Sequence, residues 1–200
     1  MPNPPPSRVL ALFVREPDPD CLDAAEWARW EALSHERGRL HFLLGRTALR
    51  HLAAPLLGVS PGEVPVALDP SGRPMLTGTP WHVSISHSGG ISLAVLSDVP
   101  VGCDLEAPPQ RERDLLGIAR RFFAPSETLL LESLDPAEQS GPFLAMWTRK
   151  EAAYKTGLVD WETCLRHPFS DGDNFLHRSR LHLKVPEGVP TGWTARVATG

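Results

Sequence analysis

The sequence predicts a mixed α+β fold built from many short elements, and three observations carry that prediction. Apolar residues recur at helical spacing in several stretches, most regularly from Arg39 to Leu57 and from Phe143 to Lys155. Between these stretches, residues 82 to 106 alternate apolar with polar, broken by turn chemistry at Ser88-Gly89-Gly90 and Asp98-Val99-Pro100. That is the signature of an antiparallel meander. The 21 prolines and 16 glycines are scattered as punctuation and form no low-complexity tract.

Taken in order, Val9 to Val14 is an apolar run suited to a strand. Trp27, Trp30 and Leu33 at spacings of three predict a helix over Asp23 to Leu33. A longer helix is expected from Arg39 to Leu57, ending at Gly58 with Pro61 beyond it. Its Arg37, Arg39, Arg46 and Arg50 read by default as a solvated basic face. Val64 to Leu68 runs as a strand into Asp69-Pro70-Ser71-Gly72-Arg73-Pro74, a turn by composition. The meander follows, with Val101 to Glu106 as its third strand. Pro108-Pro109 marks a seam that divides the chain into an N-terminal half, 1–107, and a C-terminal half, 108–200. Helices are expected over Glu112 to Phe123, from Pro125 through Leu129, Leu130 and Leu134, and from Pro142. Residues 158–175 show no clear period. Leu181 to Val185 and Trp193 to Val197 form a closing hairpin.

Composition excludes several functions. A net charge of −4 and a pI near 6.1 argue against broad nucleic-acid or anionic-membrane binding, while leaving room for a basic pocket that takes a small anion. Hydrophobic residues make up 42% of the chain, enough to build a core. Cys21, Cys103 and Cys164 are odd in number and lack CxxC spacing, which predicts reduced thiols in a cytoplasmic protein. No apolar run approaches the roughly 20 residues of a membrane span, and the start MPNPPPSR has no signal-peptide core.

Two stretches carry chemistry. In VGCDLE the period of two sends Val101, Cys103 and Leu105 to one side and Gly102, Asp104 and Glu106 to the other. The two carboxylates then stand about 7 Å apart along one face, beside a glycine that leaves space. Oxygen ligands with room for water and phosphate suit Mg²⁺, and a solvated strand face accounts for the same residues equally well. In FLAMWTRKEAAYK, Phe143, Leu144, Trp147, Tyr154 and Leu158 fall in one apolar stripe that includes Glu151. A carboxylate turned inward must be paired, protonated or bound to a cation. Lys155 at i+4 flanks it, so an ion pair at the core margin and a catalytic group are both open.

In order along the chain stand GRP at Gly72 to Pro74, VSISHSG at Val83 to Gly89, VGCDLE at Val101 to Glu106, RRFFAPSE at Arg120 to Glu127 and WTRKEAAYK at Trp147 to Lys155. This series resembles the 4′-phosphopantetheinyl transferase superfamily, in particular its longer single-chain, surfactin-synthetase-activating type, over residues 29 to 155. The resemblance implies a pseudo-dimer of two similar α+β halves with coenzyme A between them. It also implies Mg²⁺-dependent transfer of the phosphopantetheine arm to a serine of an apo acyl or peptidyl carrier protein, releasing adenosine 3′,5′-bisphosphate.

Carried over residue by residue, the resemblance makes Asp104, Glu106 and Glu151 the metal ligands, Glu151 also the candidate base, and Lys155 the group that stabilises or protonates the leaving phosphate. Arg29, Gly72, Arg73, Pro74, Ser84, Ser86, His87, Lys150 and Lys155 become coenzyme contacts, with a cationic or hydrogen-bonding His87 beside Arg73 at the 3′-phosphate. A monomer is implied, since the two halves supply each other's interface. The pattern departs at Lys155-Thr156-Gly157-Leu158, where members commonly carry K-x-x-G-x-G. Members also add a strand after the stretch that Trp193 to Val197 matches, whereas this chain ends at Gly200. Two other readings use the same residues: a metal-dependent nucleotide phosphohydrolase, and a non-catalytic module that binds coenzyme A or a carrier protein.

Overall fold

A computed structural model describes residues 8–108, 114–176 and 179–200. Pro109 of the expected seam and the start of the expected helix at Glu112 lie outside the described residues. The first strand, β1 (Val9–Val14), falls where its apolar run predicts. Helix α1 (Ala24–Ala32) begins at Asp23, whose carboxylate caps the Glu26 amide. Helix α2 (Glu36–Leu57) stops at Gly58, which takes the left-handed φ of 69° that a C-terminal glycine allows. Strands β2 (Val66–Leu68) and β3 (Pro74–Leu76) form a hairpin whose tip uses Gly72 at φ 84°. Strands β4 (His82–Ser88), β5 (Ile91–Ser97) and β6 (Val101–Glu106) follow.

The second part of the chain adds α3 (Leu115–Phe122), α4 (Pro125–Glu132), α5 (Ser140–Lys155) and α6 (Trp161–Arg166). It closes with β7 (Gly172–Leu176), β8 (Ser179–Lys184) and β9 (Thr194–Thr199). The expected closing hairpin is present as β8 against β9, in register Leu183 to Ala198. Helix α6 and strand β7 fill the stretch whose sequence shows no period.

The α+β class holds, with two main sheets ordered β1-β5-β4 and β6-β9-β8-β7. Here the structure corrects the meander. β6 pairs along its length with β9, not with β5, and so joins the sheet built by the C-terminal part of the chain. The cause is double burial of β5. Its Ala94 and Leu96 pack with Ala48, Leu49 and Ala53 of α2, while Leu93 and Val95 pack with Val101, Cys103 and Leu105 of β6 and with Val197 of β9. All seven residues of β5 are buried, so its apparent alternation does not mark a solvent face. Helix α5 covers the other side of the second sheet through Ala152 and Ala153, which meet Leu181, Leu183 and Ala198. The layers therefore run α2, first sheet, second sheet, α5.

Helix α5 is also turned from the expected phase. Its buried residues are Phe143, Met146, Thr148, Lys150, Ala152 and Ala153, whereas Glu151 and Tyr154 are only half-buried and Leu158 beyond its end is exposed. The stripe containing Glu151 thus borders the core, and Lys150 points into it.

Candidate active site

The site forms where β6 passes between β4 and α5. As the period of two predicts, Val101, Cys103 and Leu105 face the inter-sheet core, and Gly102, Asp104 and Glu106 face α5. Gly102 explains how close that approach is. A Cβ there would lie 2.1 Å from the Ala152 carbonyl oxygen and 2.7 Å from the Thr156 nitrogen, so the space expected beside this glycine is filled by the backbone of α5. One turn of α5 then brings Glu151 and Lys155 over Asp104.

Lys155 joins the two segments. Its Nζ donates to Asp104 Oδ1 at 2.7 Å and to Ser86 Oγ at 3.4 Å, and lies 3.1 Å from Glu151 Oε2. Burial works against its charge, but Asp104 and Glu151 outweigh that and hold its pKa above the usual lysine value. The acids show the opposite stress. Burial, and then the charge of Asp104, push the Glu151 carboxyl above the ordinary range, and Lys155 offsets only part of this. Glu106 is raised by burial, then by Asp104, and less by Glu151. Glu106 and Glu151 are thus both strained by burial and by the charge of Asp104, a strain that a nearby cation would relieve.

Among the described residues, no three His, Cys, Asp or Glu side chains are gathered tightly enough to hold an ion as they stand. The Lys155 ammonium already occupies part of that space. Nonetheless Asp104 Oδ2 is buried with no hydrogen-bond partner. A buried carboxylate oxygen left without a donor is costly. The donor set, all hard oxygen, fits Mg²⁺.

The basic side of the site comes from α2 and β3. His41 of α2 stacks on His87 of β4 with ring centroids 4.2 Å apart. Burial of its inner face, then the charges of His41, Lys155 and Arg37, push the His87 pKa down to about 4. Burial and the neighbouring positive charges thus favour the neutral ring, which can still donate or accept a hydrogen bond. Arg73 lies 5.3 Å over the Tyr154 ring and reaches Gly157, so it spans from β3 to the end of α5. A cleft of about 410 Å³ opens there, lined by Arg73, Pro74, Trp81, Val83, Lys155 and Thr156. Gly72 is exposed at the hairpin tip, with open space where a side chain would be.

Three expected coenzyme contacts are placed differently. Lys150 is fully buried, and its Nζ donates to Glu127 Oε2 at 2.7 Å, Leu165 O at 2.9 Å and His167 O at 2.8 Å. All three ammonium protons are used, so Lys150 fastens α5 to α4 and α6 and has none left to offer a ligand. Ser84 and Ser86 are buried, and their hydroxyls accept from the β6 amides of Cys103 at 3.0 Å and Leu105 at 3.2 Å. Both are committed to the seam between the sheets.

Arg29 is exposed, 5.8 Å over the Phe42 ring beside Arg46, which pairs with Glu26 at 2.6 Å. Arg50, expected on a solvated face, is fully buried and bonds Glu26 Oε2, Asp23 Oδ2 and the carbonyl of Val64. Sequence reasoning missed Ser88, His41 and the Asp171 clamp. Asp171 accepts from Arg149 of α5 at 3.0 Å and from Arg196 of β9 at 2.6 Å. For Ser88 the signal was available, since it continues the alternation of Ser84 and Ser86. For the clamp there was none.

Residues 100–182, which hold both β6 and α5, match the profile of the family described as the 4′-phosphopantetheinyl transferase superfamily. The chain belongs to that superfamily. Among its relatives, the 4′-phosphopantetheinyl transferase HetI of Nostoc sp. is 33% identical over 139 residues, covering 67% of this chain and 58% of HetI. A 4′-phosphopantetheinyl transferase of Bacillus subtilis is 30% identical over 122 residues, covering 60% and 53%. AcpT of Salmonella typhi, also named a 4′-phosphopantetheinyl transferase, is 34% identical over 119 residues, covering 58% of each chain. The chain spans about half the length of the curated relatives it matches.

Proposed function

We propose that this protein transfers the 4′-phosphopantetheine arm of coenzyme A to a serine hydroxyl of an apo acyl or peptidyl carrier protein. The observation that carries the reading is the meeting of Asp104 on β6 with Glu151 and Lys155 on α5, beside a cleft edged by Arg73. Asp104, Glu106 and Glu151 would hold a Mg²⁺ ion. When bound, that ion supplies a positive charge to grip the diphosphate and offset the charge that grows as the phosphorus–oxygen bond breaks. Arg73 and a hydrogen-bonding His87 are the groups for the 3′-phosphate. Gly72 and Pro74 shape the hairpin that presents Arg73. Arg29 is a more distant basic contact.

In the transfer the carrier serine Oγ forms a bond to phosphorus while the bond to the adenosine-side phosphate oxygen breaks. That oxygen leaves with the electron pair as part of adenosine 3′,5′-bisphosphate. The serine proton passes to Glu151, the half-buried carboxylate beside Lys155. Lys155, whose ammonium sits beside Asp104 and Glu151, stabilises or protonates the departing phosphate. The two sheets, each backed by one long helix, support a division into two halves and, with it, a monomer, although β6, which lies before residue 107, pairs within the second sheet. No helix of the described residues is long and apolar enough to cross a membrane. We place the enzyme in the cytoplasm, where its buried thiols stay reduced.

The test is to incubate the protein with coenzyme A, Mg²⁺ and an apo carrier protein and weigh the carrier. A gain of one phosphopantetheine arm is expected. Hydrolysed coenzyme with an unchanged carrier, or coenzyme binding without turnover, would contradict the reading.

A further inference from the structure

On β4, Ser84, Ser86 and Ser88 recur at every second position, and their hydroxyls accept in turn from the amides of Cys103, Leu105 and Ala107 at 3.0, 3.2 and 3.1 Å. Three serines thus replace the backbone ladder that β4 and β6 do not form, since β6 pairs with β9 and β4 with β5. A hydroxyl has two acceptor lone pairs but a single proton. Where that proton goes divides the three rungs. Ser86 gives it to Asp104 Oδ1 at 2.8 Å, and Ser88 gives it to Glu106 Oε2 at 3.2 Å. Beside Ser84 the β6 residue on the acid face is Gly102, which has no side chain to receive it.

We infer that Ser86 and Ser88 are positioning residues, which anchor on the β6 backbone and aim the carboxylates of Asp104 and Glu106 at the space under α5. With Ser86 holding Oδ1, the unpartnered Oδ2 is the oxygen of Asp104 left for a ligand. Ser86 is full: it accepts from Leu105 and from Lys155 and donates to Asp104, so the rotamers of both charged groups are tied to one hydroxyl. Partners of this kind, one shell behind a metal ligand, typically change metal affinity about tenfold to a hundredfold when removed. Ser84 makes the same backbone bond without touching an acid, and it is the internal control.

The inference rests on the proposed cation role of the acids, and the experiment separates the two. Mn²⁺ is titrated into the unmodified protein, Ser84→Ala, Ser86→Ala and Ser86→Thr, with and without coenzyme A, and followed by electron paramagnetic resonance, while urea unfolding reports the seam. Both alanine variants should lower the urea midpoint to a similar degree. Only Ser86→Ala should weaken Mn²⁺, about tenfold or more, and Ser86→Thr, which keeps the hydroxyl, should restore it. Should Ser86→Ala not fold, Ser88→Ala at the half-exposed end of the ladder gives the same comparison with Ser84→Ala. Equal Mn²⁺ affinity in the two alanine variants, or no Mn²⁺ binding by the unmodified protein, overturns the positioning role. Carrier modification is measured alongside. Transfer with equal affinities defeats the positioning role alone, and a tenfold gap without transfer defeats the transferase reading alone.

Discussion

Gly102→Ala is the sharpest perturbation of the site because it adds one methyl group and no charge. The added Cβ would stand 2.1 Å from the Ala152 carbonyl oxygen and 2.8 Å from the Lys155 carbonyl carbon, distances that real Cβ atoms essentially never show. Both obstacles are backbone, so no side chain can swing aside. Relief needs α5 to retreat from β6 by roughly 1 Å, and overpacking of this kind costs about 1–3 kcal/mol. We expect the upper end, about 3 kcal/mol, since helix and strand are each held by their own hydrogen bonds. The same retreat draws Glu151 and Lys155 away from Asp104, and a misplacement of about 1 Å can cost on the order of a hundredfold in rate. Urea unfolding and the carrier mass assay read the two effects separately. Gly38→Ala, at a helix position with nothing within 4 Å, is the control and should stabilise by about 0.5–1 kcal/mol. A Gly102→Ala protein within about 0.5 kcal/mol of the parent and fully active would refute the close approach on which the site depends.

Other expectations follow from single residues. Lys150→Met leaves Glu127 buried without its partner and should cost about 3–5 kcal/mol by urea unfolding; coenzyme affinity of the protein that remains folded should be unchanged, and a selective loss of affinity would return Lys150 to the coenzyme. The His87 imidazole should titrate near 4 by NMR in the free protein, and a midpoint near 6.5 would contradict its enclosure by His41, Arg37 and Lys155. The Asp171 carboxyl, where the hydrogen bonds from Arg149 and Arg196 outweigh burial, is held below its ordinary pKa. Its contribution is therefore present above the unfolded pKa and lost as pH falls through the folded one. Asp171→Asn should flatten the acid limb of the urea midpoint against pH, and an unaltered limb would show that the clamp does not stabilise the fold. Arg73→Ala should weaken coenzyme A more than 3′-dephospho-coenzyme A, and an equal loss for both would take the 3′-phosphate from Arg73.

What could be read in the chain follows from the range of the signals. The face of β6 that carries Asp104 and Glu106 was legible because a period of two acts within six residues. The end of α2 at Gly58 and the start of α1 at Asp23 were legible because capping is local. The phase of α5 was not. Phe143, Met146, Lys150 and Ala153 line its core side, and a lysine there reads as surface until Glu127 and the carbonyls of Leu165 and His167, all distant in sequence, are seen to enclose it. Arg46 and Arg50 misled in the same way, because Asp23 and Glu26 neutralise them from another helix. Strand order was beyond local pattern altogether. Whether β6 joins β5 or β9 is settled by which face of β5 needs cover. The motifs drew Asp104, Glu106, Glu151 and Lys155 together, whereas the bonds by which Ser84 and Ser86 hold the two sheets together have no sign in local pattern.

The central claim is that acids on β6 and on α5 serve one cation beside the coenzyme cleft. A crystal structure of the protein with Mn²⁺ and coenzyme A, read from the anomalous scattering of the metal, tests it directly. The account predicts one peak about 2.1 Å from carboxylate oxygens of Asp104, Glu106 and Glu151 and in contact with the diphosphate. A metal held by other residues, or a coenzyme diphosphate lying away from Asp104, would contradict it.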